Sequence, residues 1–191
     1  LPEKIKKNNP NVKFDFNAIA KGGAVDYISR YLKNLGFNRF MVEIGGEIAV
    51  SGLNKDDSLW KIGIVHPDKI DDKLIESINV SNIAIATSGS YENFFYIDNK
   101  KYSHIIDPDT GHPVEHDLVS ATVLAESASL ADALATSFMV MGYDMSLEFA
   151  NKVDGVECYL VYVNSAGKYK IGYSNNFLEY WSYINSVLMC I

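Results

Sequence analysis

Cysteine is scarce in this chain of 191 residues: Cys158 and Cys190 are the two present. They form no CxxC and no zinc-ligand spacing, which excludes a cysteine-based metal site. Whether they pair or stay free is left open by composition. Proline is sparse at 5 residues, and 48% hydrophobic with 21% charged residues describes a folded domain, not a disordered or low-complexity segment. Positive charge is in deficit. Lys and Arg number 17 against 24 Asp and Glu, a formal charge of −7, which argues against a duplex nucleic-acid binder needing a basic footprint. No apolar run reaches the ~18 residues of a membrane-spanning segment. The tail from Tyr180 to Ile191 is shorter and reads as a closing strand. P-loop, GxGxxG and GxSxG signatures are absent, and the histidines show no HxH spacing.

What is present amounts to about one domain on the prior of ~100–200 residues per domain. Residues 1–14 read as an N-terminal arm or severed connection, and 15–191 as the folded unit. A helix is expected from Asn17 to a stop at Gly36, because Val25, Ile28, Leu32 and Leu35 follow the 3.6 period. Strand patterns follow at Arg39–Val50, broken at Gly45-Gly46, then at Leu59–Val65, Ser77–Thr87, Asn93–Ile97 and Lys101–Ile106. Beyond them Val119–Leu124 reads as a strand, Ser127–Met141 and Asp144–Lys152 as helices, and Val156–Val163 with Tyr169–Tyr173 as a hairpin. Clustered strands interrupted by about three helices favour an α+β fold, a mostly antiparallel sheet with the helices packed on it.

Four segments carry groups suited to chemistry. Asp132 and Thr136 lie four apart on one face of the expected helix Ser127–Met141, among alanines, Leu134, Phe138 and Met139. A carboxylate and a hydroxyl there suit a hard cation such as Mg2+, which takes few protein ligands; a structural Asp bonded to a neighbouring loop is the plainer alternative. In Asp15-Phe16-Asn17-Ala18-Ile19-Ala20-Lys21-Gly22, Asn17 is placed to cap a helix whose free amides favour an anion, with Lys21 adding charge. A capped helix with a solvated lysine explains the same pattern. His104, before Ile105, Ile106 and the Asp107-Pro108 turn, is a candidate proton acceptor or a structural histidine. Thr87-Ser88-Gly89 offers hydroxyls and an amide at a strand end, for a ligand or a turn.

In chain order these segments, with Glu43-Ile44-Gly45-Gly46-Glu47-Ile48 and Ala131-Asp132-Ala133-Leu134-Ala135-Thr136, resemble the ApbE family of FAD:protein FMN transferases. Such enzymes use Mg2+ to cleave the FAD pyrophosphate and move FMN to a Thr or Ser hydroxyl of a recipient flavoprotein subunit, releasing AMP; some members mainly hydrolyse FAD to FMN and AMP. The resemblance implies that Asp132, Thr136 and the Ala18 carbonyl hold the metal. It implies that Asp15, Lys21 and Ile106 contact the flavin nucleotide, and that His104 takes the proton of the acceptor hydroxyl. It further implies an extracytoplasmic or periplasmic setting, with lipoprotein anchoring to the membrane. Gly23 departs from an aromatic common in relatives, and Glu43 from an Asn. The family's first half precedes the DxxAxxKG segment, which starts here at Asp15, so the expected match is to a C-terminal portion. A non-catalytic flavin-binding or assembly module is the reading from outside the enzyme classes.

Overall fold

The computed structural model describes residues 4–67, 74–90, 94–97, 100–103 and 105–180. A six-stranded sheet forms the middle layer. Its strands are β1 (Phe40–Ile44), β2 (Glu47–Ser51), β5 (Ile83–Gly89), β8 (Leu118–Ala125), β9 (Glu157–Val163) and β10 (Tyr169–Tyr173), adjacent in that order. Every pairing in it is antiparallel. Two hairpins stand apart from it, β3 (Trp60–Val65) with β4 (Leu74–Val80), and β6 (Phe94–Ile97) with β7 (Lys100–Ser103). Helices α1 (Ala20–Asn34), α2 (Ala128–Met141) and α3 (Tyr143–Lys152) complete the described elements, with a short 3-10 turn at Phe177–Tyr180. The expected α+β architecture, antiparallel with three helices, is what forms.

Alternation along the central strands assigns each face of the sheet its own layer. Ala121, Val123 and Ala125 of β8, with Cys158 and Leu160 of β9, join Ala131, Ala135, Phe138 and Met139 of α2 in one core. The intervening Leu124, Tyr159 and Val161 point the other way, against Ile62, Ile64, Ile78 and Val80 of the β3–β4 hairpin and against Phe177. A smaller cluster joins Val25 of α1 to Val42, Ala84 and Ala128. Each large side chain fully buried in this way contributes about 1.5–3 kcal/mol.

Three local expectations change. The run Ser77–Thr87 is two strands, not one: the chain turns at Ser81-Asn82, where Asn82 takes φ 53°, sending β4 to the outer hairpin and β5 to the central sheet. Asn is among the few non-glycine residues that accept this left-handed backbone. Next, Asn17 does not cap α1, which begins one turn later with Ile19 at the cap position and no side-chain cap. Asn17 instead donates its backbone and side-chain N–H groups to Asp15, at 2.8 and 3.3 Å. Finally, Val25 is fully buried but Ile28 and Leu35 are 38% and 57% exposed, so the buried stripe of α1 is narrower than its periodicity suggests. The tail beyond Tyr180 lies outside the described residues.

Candidate active site

Helices α1 and α2 are joined at their N-termini by two carboxylates. Asp26 of α1 accepts the backbone amides of Ala128 and Ser129, at 2.7 and 2.9 Å, and the Ser129 hydroxyl. These are first-turn amides of α2 that its own hydrogen bonds cannot reach, and a negative charge there also meets the positive end of the helix dipole. Ser127 adds its side chain as acceptor for Leu130. In return, Asp132 of α2 accepts the Gly22 amide in the first turn of α1 at 2.9 Å. Glycine at position 22 is what lets the helices meet: a Cβ there would lie 2.3 Å from the Ala128 carbonyl oxygen and 2.7 Å from the Ser129 Cα.

The Gly22–Asp132 bond changes what remains for a ligand. Gly22 is the third residue of α1, so its amide is one of the first-turn donors without an acceptor inside the helix. It goes to Asp132 instead, while the next amide, Gly23, takes the Ile19 carbonyl at 2.8 Å. Ala18 is half-buried in the turn before α1, one residue ahead of the Ile19 cap position. Asp132 itself is 3% exposed. Burial pushes its carboxyl above the ordinary range, against the pull of the Gly22 amide and the Lys21 ammonium. One turn further along α2, the Thr136 hydroxyl lies 3.2 Å from that of Ser88, on β5. A buried carboxylate, a hydroxyl and a backbone carbonyl are all hard oxygen donors, a set that suits Mg2+ with its remaining positions filled by water or phosphate. Among the described residues no group of three or more His, Cys, Asp or Glu is arranged to hold a metal.

Lys21 stands beside this cluster. Its ammonium lies 2.8 and 2.7 Å from the two carboxylate oxygens of Glu47 and 3.3 Å from the Gly45 carbonyl. Glu47 opens β2 after the Gly45-Gly46 turn, whose φ angles of 59° and 100° belong to the hairpin turns that favour glycine at both central positions. Burial raises the Glu47 carboxyl too, opposed by Lys21 and reinforced by the negative charge of Asp132.

The candidate residues thus divide. Lys21 and Asp132 come together, through Gly22, with Ala18 just before them and Thr136 one turn along α2. Asp15 precedes the same turn, its carboxylate bonded to Asn17. Ile106 is half exposed and forms a bridge with Pro113, with no contact to the Lys21–Asp132 cluster among those described. His104 lies outside the described residues. Sequence reasoning passed over Glu47 and Asp26. For Glu47 a signal existed: it shares a face of β2 with Ala49, which packs towards α1, so alternation alone aims it inward.

The sequence pattern of the ApbE family matches residues 1–160. The chain belongs to the ApbE family. Relatives include the FAD:protein FMN transferase of Vibrio cholerae serotype O1, 45% identical over 151 residues, which cover 78% of this chain and 45% of that protein. The Escherichia coli K12 enzyme of the same name is 34% identical over 157 residues, 82% of this chain and 44% of its own length. Among solved structures, the flavin transferase ApbE from Vibrio cholerae superposes with a TM-score of 0.79 at 38% identity, covering 93% of this chain and 57% of that one. The apo flavinyl transferase ApbE of Pseudomonas stutzeri gives 0.76 at 35% identity, covering 88% and 51%. The chain therefore spans about half the length of the relatives it matches. No helix among the described residues is long and apolar enough to cross a membrane.

Proposed function

We propose that this chain carries the metal- and nucleotide-binding part of an FAD:protein FMN transferase, which moves FMN from FAD to a Thr or Ser hydroxyl of a recipient protein. The observation that carries the reading is the Gly22–Asp132 hydrogen bond, which sets a buried acid against the turn of α1 that carries Lys21. Relatives at 31–45% identity named for this activity support it.

In this reading Asp132, Thr136 and the Ala18 carbonyl hold Mg2+, and the Lys21 ammonium meets the diphosphate. When bound, Mg2+ supplies charge neutralisation for the diphosphate and its leaving group. Asp15 and Ile106 contact the flavin nucleotide. The acceptor hydroxyl attacks the FMN-side phosphorus; its oxygen bonds to phosphorus as the phosphoanhydride bond breaks, AMP departs, and His104 takes the hydroxyl proton. Water in place of the acceptor gives FMN and AMP, the hydrolytic outcome. Membrane-anchored delivery outside the cytoplasm belongs to the same proposal and rests on family likeness alone.

The test is FAD turnover by this chain with and without Mg2+, following AMP and FMN by chromatography and recipient mass for an FMN adduct. AMP release that requires Mg2+ and disappears in Asp132→Ala is expected. Turnover unchanged in Asp132→Ala would overturn the metal assignment.

A further inference from the structure

Glu47 has no place in the chemistry above, yet it is 1% exposed. A carboxylate taken out of water is costly, and replacing a buried ion pair with apolar side chains of similar shape is often neutral or stabilising. Fold stability alone therefore gives no account of an acid at the start of β2. Its surroundings do. Both of its oxygens face the Lys21 ammonium, at 2.8 and 2.7 Å, and the Gly45 carbonyl of the same hairpin takes a third contact at 3.3 Å. The Lys21 side chain is nonetheless 47% exposed, so it is anchored by Glu47 without being enclosed. Asp132 accepts the amide of Gly22, the residue next to Lys21, at 2.9 Å, which sets a second carboxylate beside the lysine. Two acids from different elements thus stand near one ammonium, and its carboxylate hydrogen bond goes to Glu47.

We propose that Glu47 is a positioning residue: by holding the Lys21 ammonium on the β1–β2 hairpin it keeps Lys21 from pairing with Asp132, leaving that carboxylate for a divalent cation and the ammonium for the substrate's diphosphate. The proposal rests on the assignment of Asp132 as a cation ligand and Lys21 as a diphosphate contact. Lys21 without Glu47 folds over onto the remaining acid and competes with the cation. A charge effect of Glu47 exerted directly on the cation predicts something different, and the two separate in a double-mutant cycle.

The experiment uses Mn2+ alone as the probe, titrated calorimetrically into wild type, Glu47→Gln, Lys21→Met and the double variant, with circular dichroism melts to verify folding. Glu47→Gln weakens Mn2+ binding about 10-fold, the scale of one charge-assisted contact. In the Lys21→Met background the same change shifts affinity less than about 2-fold, within the additivity error of such cycles. An equal loss in both backgrounds overturns the proposal in favour of a direct charge effect. Should Glu47→Gln fail to fold, Glu47→Asp keeps the charge but withdraws it by one methylene, and weakens Mn2+ binding only while Lys21 is present. A second readout needs neither metal nor flavin: reductive methylation of Lys21, followed by peptide mass spectrometry, speeds up in Glu47→Gln. An unchanged rate overturns the positioning role. Because that arm contains no FAD, a wild-type chain that neither binds nor turns over FAD defeats the functional reading without deciding the role of Glu47.

Discussion

The Gly22 amide donates to Asp132 at 2.9 Å across 110 residues of chain, and the bond is one half of an exchange. Asp26, one turn further along α1, gives its carboxylate to the first two amides of α2. Each helix therefore caps the other. This reciprocity fixes the approach of two elements that meet nowhere in sequence, and it sets the acid of one helix under the turn that carries the lysine of the other.

Gly22→Ala should break this arrangement. The added methyl would meet backbone atoms of Ala128 and Ser129 at 2.3–2.7 Å, and backbone cannot rotate aside as a flexible side chain can. Overpacking of this kind costs about 1–3 kcal/mol, and separating the helices also lengthens the Gly22–Asp132 bond. Urea melts should show the lost stability, and Mn2+ titration should show weaker binding at temperatures where the variant is still folded. Binding at wild-type strength would mean that the helix contact does not shape the site.

The pH dependence of the metal-free protein follows from the two buried acids. Burial raises both Asp132 and Glu47 in the folded state. An acid so raised gives stability that is fully present below its unfolded pKa, about 4, and is lost as pH rises through the folded value. Both groups therefore work against stability from about pH 4 towards neutrality. Asp132→Asn removes one of them while keeping an oxygen for the Gly22 amide. It should raise the urea midpoint at pH 7, by about 0.5–2 kcal/mol on the scale of relieved functional sites, and flatten the pH profile, while abolishing cation binding. A lower midpoint at pH 7 would show that the ionised acid stabilises the fold.

Much of this site was legible in the sequence because local patterns fix which face of an element is buried. Asp132 and Thr136 share a helix face by their spacing, and the alanines around them announced a buried acid, which is found. Phe40, Val42 and Ile44 alternate and all pack towards α1. What local pattern does not carry is the partner of a side chain. The start of α1 was misplaced because Asn17 has the chemistry of a cap, while its side-chain amide turns back to donate to Asp15 and the helix starts after Ile19 without a side-chain cap. The division of Ser77–Thr87 at Ser81-Asn82 was overlooked although both are turn residues: apolar alternation on either side masked them, and the turn depends on Asn82 accepting a left-handed backbone. Asp26 was passed over because its partners lie 102 and 103 residues away, beyond the reach of local pattern.

Asp26 invites its own test. Its carboxylate satisfies two first-turn amides of the helix that carries Asp132 and Thr136. Removal of a helix cap of this kind costs about 0.5–2 kcal/mol, and here two donors are left without their acceptor. Asp26→Ala should lower the urea midpoint towards the upper end of that range, and Asp26→Asn, which retains one acceptor oxygen, by less. Hydrogen exchange should localise the loss to the first turn of α2, with amides near Met139 unaffected. Uniform loss of protection would place Asp26 in the global fold instead of the cap.

Cys158 provides a probe of the sheet itself. It lies fully buried on β9 among the residues packed against α2, and burial pushes its thiol up to about 12. The thiolate is the reactive form, so the native protein should leave Cys158 unmodified by N-ethylmaleimide at pH 8, identified by peptide mass, and modification should follow global unfolding. The linkage has a matching sign. A raised thiol pKa contributes stability that is complete below the unfolded value, about 8.5, and that disappears as pH climbs towards the folded one. Cys158→Ala should therefore lessen the loss of stability between pH 8.5 and 11, at the expense of a small cavity beside Phe138. Rapid labelling of the native protein at pH 8 would show that β9 opens locally from α2, since a thiol held in that core has no other route to the reagent.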